Sequence, residues 1–247
     1  MSKLISVIGS PNSGKTTVSV ALARRLAAMK NNVCIICCDQ VVPTIPAILP
    51  QSTNNVNDPS SKIHSIGKVL SNIDFSPNDI LAQSAYSKID KIILIGYAYG
   101  ENRLSYPAPT EYDAYNLYSK ISEMVDYVII DCGNDLSSPL VKVGIEHSDY
   151  VLRLAGSTYK DIVYYASNID LIPEGETSKK DHIIIHPKYK RKDNIDFVSD
   201  FYGGVDYYLG YDPNIEKMME YGEYFVKAFP AKYNKELDKI LNDVCFA

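Results

Sequence analysis

The sequence predicts an α/β fold in which a mostly parallel, twisted sheet is flanked by helices. Short apolar runs recur between longer amphipathic stretches along the 247 residues. Many of these runs are continuous rather than alternating, which is typical of strands buried on both faces. The stretches between them carry apolar residues at helical spacing. Alternation of strands and helices in this order gives a parallel sheet covered by helices on both sides.

The apolar runs and the amphipathic stretches predict seven strands and seven helices. The strands are predicted at residues 4–8, 33–38, 92–96, 127–130, 150–155, 182–186 and 206–210. The helices are predicted at residues 15–30, 110–124, 139–147, 159–169, 193–201, 213–221 and 231–244. Residues 51–62 are polar and rich in Ser, Asn and Pro, which predicts a surface loop. No repeat or domain boundary interrupts the pattern, so we expect one domain over residues 1–247.

Composition excludes several classes of protein. The hydrophobic content of 46% is ample for a core, and the net charge of −5 argues against nucleic-acid binding over the whole surface. No apolar run of ~20 residues is present, so we expect no membrane span. The chain enters a strand at once, which argues against a signal peptide.

The cysteines predict a reducing environment. Cys34 and Cys37 have the C-x-x-C spacing of zinc ligands, but a strand points these two side chains to opposite faces. Buried reduced thiols are therefore favoured over a metal site. We expect a cytoplasmic protein, with attachment at the inner face of the membrane through partners as a second option.

Residues 9–16 read G-S-P-N-S-G-K-T and stand between the first predicted strand and the first predicted helix. This is the phosphate-binding pattern G-x-x-x-x-G-K-[ST] in its strand–loop–helix setting, which makes a chance glycine-rich turn the weaker interpretation. Lys15 supplies a charge for the β- and γ-phosphates, and Thr16 supplies a hydroxyl for Mg²⁺. The predicted nucleotide-binding residues are Gly9, Ser10, Pro11, Asn12, Ser13, Gly14, Lys15, Thr16 and Thr17.

A second motif, V-D-Y-V-I-I-D-C-G-N-D at residues 125–135, ends an apolar strand in Asp131. Beside a phosphate-binding loop, a carboxylate at the end of such a strand holds the water shell of Mg²⁺. Many buried strands end in aspartate, so the motif gains its weight from the upstream loop. The sequence predicts a Mg²⁺ site formed by Thr16 and Asp131.

Together these motifs resemble the ParA/MinD group of P-loop ATPases over nearly the whole chain. Three further stretches carry the resemblance: I-I-C-C-D-Q-V-V-P-T-I-P, H-S-D-Y-V-L-R-L-A and V-D-Y-Y-L-G-Y-D-P-N-I-E-K-M-M-E-Y-G-E. The resemblance implies ATP and Mg²⁺ as cofactors. It also implies ATP hydrolysis, with Lys15 and Asp39 as the catalytic candidates and Asp39 as a switch residue.

The chain departs from the family pattern at two positions, one in the loop and one at the end of the second predicted strand. Ser10 stands where the family has a lysine that reaches across a dimer to the partner's nucleotide. Cys37 takes the first position of the family's D-x-D, whose first aspartate helps to position the attacking water, and Asp39 takes the second. These departures resemble the atypical TadZ/CpaE-like branch, which helps to localise pilus or secretion machinery. They imply weak hydrolysis and a protein partner in such a machine, and they imply that any homodimer of the chain persists without nucleotide.

Three other functions remain open. A plasmid or chromosome partition ATPase would need nonspecific DNA binding. A small-molecule kinase would need arginines over the transferred phosphate, and none of the five arginines forms an obvious lid. A nucleotide-binding scaffold would have lost turnover altogether.

Four further features have both a structural and a functional interpretation. A basic cluster at residues 188–192 could contact DNA or anionic lipid, or form a solvated loop. An amphipathic C-terminal helix is favoured to pack on the domain rather than on a membrane, because its polar face has no basic bias.

A tyrosine-rich region suits a partner interface or a half-buried helix edge, and two histidines on one strand favour packing over metal binding. The tyrosines and histidines are Tyr97, Tyr99, Tyr106, Tyr112, Tyr115, Tyr118, His182 and His186.

Overall fold

The computed structural model describes residues 2–50, 64–87, 90–172 and 182–246. Its strands are β1 (Lys3–Gly9), β2 (Val33–Cys37), β3 (Ala85–Tyr86), β4 (Ile93–Gly96), β5 (Tyr127–Asp131), β6 (Tyr150–Leu154), β7 (His182–Tyr189) and β8 (Tyr207–Gly210). They form one sheet in the order β3-β4-β2-β5-β1-β6-β7-β8. The short β3 runs antiparallel to β4, and every other neighbouring pair is parallel.

The helices of the described residues connect these strands. They are α1 (Lys15–Ala28), α2 (Ile45–Ile48), α3 (Ile66–Leu70), α4 (Pro77–Ala82), α5 (Glu111–Ser122), α6 (Pro139–Glu146), α7 (Tyr159–Asn168), α8 (Ile195–Tyr202), α9 (Pro213–Glu220) and α10 (Ala231–Phe246). A single 3₁₀ turn, Ile169–Leu171, follows α7. Reciprocal capping boxes open α4, α5 and α7, where a Ser or Thr side chain accepts from the third helical N–H and an Asp three residues on accepts in return.

The predicted α/β fold with a mostly parallel sheet is confirmed, and each predicted strand and helix is present with ends that differ by up to three residues. The sequence did not reveal α2, α3, α4 and β3. These elements span two to six residues and therefore show no hydrophobic period. The predicted loop at residues 51–62 lies outside the described residues.

Two hydrophobic cores lie on the two faces of the sheet. One includes the apolar side of α1 and of α10, and the other includes those of α5 and α6. The apolar face of α10 is at most 1% exposed at Leu237, Ile240, Leu241 and Val244. The C-terminal helix therefore packs on the domain as predicted. None of the described helices is both long enough and apolar enough to cross a membrane.

The predicted placement of Cys34 and Cys37 on opposite faces of a strand agrees with the structure. Cys34 belongs to the core under α5 and α6, whereas Cys37 belongs to the core under α1. Their side chains thus lie on opposite faces of β2, and both thiols are free and buried. In the described part of the chain, no three His, Cys, Asp or Glu side chains are arranged to hold a metal ion.

The tyrosine-rich region divides into core and surface. Tyr97 and Tyr118 are 3% and 2% exposed, so neither is available to a partner. Tyr99, Tyr112 and Tyr115 are exposed. His186 is also a core residue, with Nδ1 2.7 Å from the Ala155 carbonyl oxygen.

Candidate nucleotide-binding site

The carboxyl ends of three adjacent strands bring the predicted site residues together. In the register of the sheet, Asp131 on β5 pairs with Val7 on β1 and with Cys37 on β2. The loop after β1 and the turn after β2 therefore flank Asp131 at one edge of the sheet. Ligands of open α/β sheets bind at this carboxyl edge.

The loop between β1 and α1 has a backbone that only a small residue allows at two positions. Gly14 has a φ of +104°, in the left-handed region that L side chains rarely adopt. A β-carbon at Gly9 would lie 2.7 Å from Ser13 Oγ and 2.9 Å from the Leu154 β-carbon. The loop is consequently wound tightly against β6, and Gly14 turns it into the helix.

The amino end of α1 is open to an anion. No side chain caps it, and its first turn contains no acidic residue. The N–H groups of the first turn have no partner within a helix, and here no capping box replaces one as it does in α5 and α7. Ser13 Oγ is buried and has no hydrogen-bond partner. The unsatisfied hydroxyl, the uncapped helix end and the lysine beside them fit a bound phosphate group.

Lys15 uses its ammonium group to hold the loop together. Its Nζ donates to the carbonyl oxygens of Gly9 and Ser10 at 2.9 Å and 3.0 Å, and to Asn134 Oδ1 at 2.9 Å. These three contacts occupy all three ammonium N–H donors. Burial lowers the pKa of Lys15, and the nearby Asp131 carboxylate opposes that shift.

Thr16 and Asp131 lie in direct contact. Thr16 Oγ1 donates to Asp131 Oδ2 at 2.8 Å, and Ser19 Oγ lies 3.5 Å from Asp131 Oδ1. Asp131 is 3% exposed. Burial raises its pKa to about 6, while the Thr16 hydrogen bond and the Lys15 charge act in the opposite direction. A hydroxyl and a carboxylate side by side are hard oxygen ligands of the kind that Mg²⁺ prefers.

Asp39 lies next to this pair, but its carboxylate accepts hydrogen bonds from the turn that follows β2. Its Oδ1 accepts from the N–H groups of Val41 and Val42 at 2.8 Å and 2.9 Å. Its Oδ2 accepts from Asn134 Nδ2 at 3.2 Å. The carboxylate therefore fixes the loop after β2 and connects it to the loop after β5.

Neither of the two positions that depart from the family pattern carries a group that could activate water. Cys37 is 1% exposed, and burial raises the pKa of its thiol well above the ordinary value. A neutral, core-facing thiol cannot orient or deprotonate water. Ser10 Oγ donates to Asp161 Oδ1, and the other oxygen of Asp161 accepts from Thr158 in the capping box of α7. The Asp161 carboxylate thus contacts Ser10, the position at which the family has a lysine.

The remaining predicted loop residues have distinct surroundings. Thr17 Oγ1 lies 2.5 Å from the Tyr224 hydroxyl and faces the C-terminal part of the chain. Pro11 is half-buried and Asn12 is exposed, and Asn12 has a positive φ of 65°. All nine predicted residues belong to one continuous segment that includes β1's last residue, the loop and the first turn of α1.

Sequence reasoning missed several residues that contact this site. Asn134 contacts both Lys15 and Asp39, and its carbonyl oxygen accepts from the Tyr164 hydroxyl at 2.8 Å. Asn134 follows Asp131 within the quoted D-C-G-N motif, so its position was a usable signal. Asp161 and Lys188 are far away in sequence. Lys188 belongs to the basic cluster at residues 188–192, but nothing in that cluster indicated a contact with the loop after β1.

A cavity of about 360 Å³ opens beside the carboxyl ends of β7 and β8. Its wall includes three tyrosines, Tyr189, Tyr208 and Tyr211, and three charged side chains, Arg191, Lys232 and Glu236. Tyr189 directly follows Lys188, whose Nζ donates to the Asn12 carbonyl oxygen at 2.6 Å. One residue of the cavity wall is thus the chain neighbour of a lysine that contacts the loop after β1.

Comparison with solved structures shows a clear fold relationship. A ParA family ATPase from Chlorobium tepidum TLS has a TM-score of 0.73 at 14% identity, covering 96% of this chain and 97% of its own. A Borrelia burgdorferi B31 protein assigned to plasmid partition, bound to AMPPNP, has a TM-score of 0.69 at 17% identity, covering 99% and 98%. The septum site-determining protein MinD from Pyrococcus horikoshii OT3, complexed with Mg-ADP, has a TM-score of 0.65 at 16% identity, covering 100% of both chains.

The chain has the fold of the ParA and MinD ATPases. The fold expected from the resemblance is thereby confirmed over the whole length of the sheet. No family model matches the chain, and no curated protein matches it in sequence. At 14–17% identity these neighbours show the fold, and the chemistry of the site depends on this chain's own residues.

Proposed function

We propose that the chain is a ParA/MinD-like protein that binds Mg²⁺-ATP as one domain, through Gly9 to Thr17, Asp131 and Asp39. The observation that carries this proposal is the uncapped amino end of α1, where Lys15 and the Thr16–Asp131 pair converge. The AMPPNP and Mg-ADP complexes of two structural neighbours support it.

Binding requires the loop to exchange its internal contacts for contacts with phosphate. Lys15 gives up acceptors among Gly9, Ser10 and Asn134 and turns its charge to the phosphates. The N–H groups of the α1 first turn and the Ser13 hydroxyl donate to phosphate oxygens. Thr16 and Asp131 would hold Mg²⁺, which would supply charge neutralisation for the phosphates. The cavity beside β7 and β8, whose wall includes three tyrosines as well as charged side chains, would receive the base.

Hydrolysis is slow in this proposal. Ser10 carries no charge for the γ-phosphate, and its hydroxyl is bound to Asp161. Cys37 is buried as a neutral thiol, which leaves Asp39 as the carboxylate that could act on water. The hydrogen bonds that Asp39 accepts from Val41 and Asn134 fix two loops, which suits a conformational switch better than a general base. Nucleotide binding, rather than rapid turnover, would then carry the signal.

We infer that the signal positions or assembles a larger apparatus in the cytoplasm through a protein partner. The departures at Ser10 and Cys37 support the TadZ/CpaE-like interpretation, with a pilus, secretion or conjugation machine as the cargo. A partition ATPase is the second candidate, because one structural neighbour is assigned to plasmid partition. A kinase is disfavoured, because Arg24, Arg25 and Arg153 all bind groups of the fold itself.

Thermal denaturation with Mg²⁺-ATP tests the proposal. Ligand at 100 times its dissociation constant stabilises a protein by ~2.7 kcal/mol, which is a shift of about 5–10 °C for a chain of this size. Lys15→Ala should remove most of the shift, whereas Lys192→Ala, on the exposed loop after β7, should keep it. An unchanged shift in Lys15→Ala would contradict the assignment.

Retention on DNA separates the two positioning functions. A partition ATPase should bind nonspecific DNA in the presence of ATP, and the binding should weaken steeply as salt rises. The pilus or secretion interpretation predicts no such retention at any nucleotide concentration.

A further inference from the structure

Lys188 lies near the end of β7, yet its side chain reaches the phosphate-binding loop. Its Nζ donates to the Asn12 carbonyl oxygen at 2.6 Å. Its Cε lies 3.5 Å from the point where a β-carbon on Gly14 would stand. The two contacts place the ammonium group over residues 12–14, with the lysine stem within van der Waals distance of Gly14.

The backbone around Lys188 is shaped to send the side chain in this direction. The parallel register between β7 and β8 shifts between His186 and Tyr189. Lys188 itself has a φ of 54°, which is uncommon for a residue with a side chain. A bulge of this kind interrupts the alternation of a strand and re-aims one side chain. Asn12, at the other end of the contact, also has a positive φ, of 65°.

The ammonium group of Lys188 keeps capacity for a ligand. A lysine has three N–H donors, and the Asn12 carbonyl uses one of them. The side chain is exposed, so its charge carries no burial cost that a ligand would have to offset. Lys15 differs in each respect, because it is buried and has three acceptors.

We propose that Lys188 is a second phosphate-binding lysine, supplied by the same chain from β7, which binds the α- and β-phosphates over residues 12–14. This inference rests on the proposed function. The backbone N–H groups of such a loop surround the α- and β-phosphates, whereas Lys15 addresses the β- and γ-phosphates. Lys188 therefore differs from the family lysine that Ser10 replaces, since that lysine comes from the partner subunit.

Calorimetric titration of the full chain with Mg²⁺-ADP, Mg²⁺-ATP and pyrophosphate tests the assignment. Lys188→Met keeps the length of the stem and removes the charge. We expect it to weaken binding of all three ligands by a similar factor, ~3–30-fold, as for one partly exposed charge-assisted contact. Lys188→Arg should recover most of the affinity. Lys192→Met, a matched loss of charge on the loop that follows β7, should bind as the wild type does.

Each alternative outcome overturns the assignment. Equal affinity of Lys188→Met and wild type would show that Lys188 does not contact the nucleotide. A loss confined to Mg²⁺-ATP would place the lysine at the γ-phosphate instead. An equal loss in Lys192→Met would show a general effect of the basic cluster. If the wild type binds none of the ligands, the proposed function fails too, whereas a wild type that binds normally leaves it standing.

The unliganded melting temperature of Lys188→Met controls for folding. Because Lys188 is exposed, that temperature should match the wild type. A large drop that Lys188→Arg restores, with unchanged affinity once folded, would assign the Asn12 contact a purely structural role and overturn the proposal.

Discussion

The Lys15 ammonium lies 2.9 Å from the side-chain oxygen of Asn134, the residue that also donates to Asp39. Asn134 thus joins the phosphate-binding lysine to the turn after β2. Its side chain is exposed, whereas the other two acceptors of Lys15 are backbone carbonyls fixed in the loop. In the proposed nucleotide complex, Asn134 is therefore the acceptor that a phosphate would displace most easily, and it would compete with the nucleotide for the lysine.

Asn134→Ala should strengthen nucleotide binding. The substitution removes the contact that the proposed binding would have to break, and a hydrogen bond to a charged group is worth ~1.5 kcal/mol or more, which corresponds to roughly tenfold in affinity. Asn134→Asp should have the opposite effect, because a carboxylate competes better for Lys15 and repels phosphate. Titration calorimetry with Mg²⁺-ADP measures both variants. Weaker binding by Asn134→Ala would show that Asn134 contacts the nucleotide instead.

Asp131→Asn should stabilise the unliganded protein at pH 8 and abolish its response to Mg²⁺. Burial raises the pKa of Asp131 from 3.8 to about 6, so the folded protein binds this proton more tightly than the unfolded chain. The ionised carboxylate therefore costs stability above pH 6, by about 1–3 kcal/mol, and the cost disappears as the pH falls from 6 towards 4.

Urea denaturation at several pH values measures this difference. The free-energy gap between wild type and Asp131→Asn should shrink as the pH falls from 8 to 4. Asp135→Asn, an exposed carboxylate four residues away, should show no comparable gap. A gap that stays constant with pH would mean that the burial of Asp131 does not govern its titration.

Ser10→Lys alone should fail to produce dimerisation that depends on ATP. Ser10 Oγ already donates to Asp161, so a lysine at this position would pair with that carboxylate inside its own subunit. The double variant Ser10→Lys with Asp161→Asn removes the competing charge and should restore the response. Sedimentation with and without a non-hydrolysable ATP analogue measures the monomer–dimer balance. ATP-dependent dimerisation of the wild type would refute the role given to Ser10.

ATP hydrolysis by the protein alone should stay far below one turnover per second. Cationic groups at the γ-phosphate are worth ~10³–10⁵ in rate in related phosphoryl-transfer enzymes, and Ser10 supplies none. Phosphate release from the purified protein measures the rate, and Lys15→Ala gives the background. A rate of several turnovers per second without a partner would contradict this expectation.

Local patterns account for most of the fold. Strands β1, β2, β5 and β6 could be predicted from continuous apolar runs, because a parallel sheet buries both faces of its central strands. Long helices such as α1 and α10 could be predicted because apolar residues recur every three or four positions and form one face. The elements that the sequence did not reveal, such as α4 and β3, are too short to show a hydrophobic period. Their packing against neighbouring elements decides their structure.

The sequence by itself predicted the tight glycine-containing loop between β1 and α1, the position of Asp131 at the end of a buried strand and the burial of Cys37, since each depends on a local motif or on a continuous apolar run. Only the tertiary structure decided that Asp161 holds Ser10, that Asn134 holds Lys15 and that Lys188 covers Gly14. These three contacts join residues 119 to 174 positions apart, which the crossover connections of a parallel sheet bring to one edge. No local pattern records such a distance, because the contacts arise from strand order and from a bulge in β7.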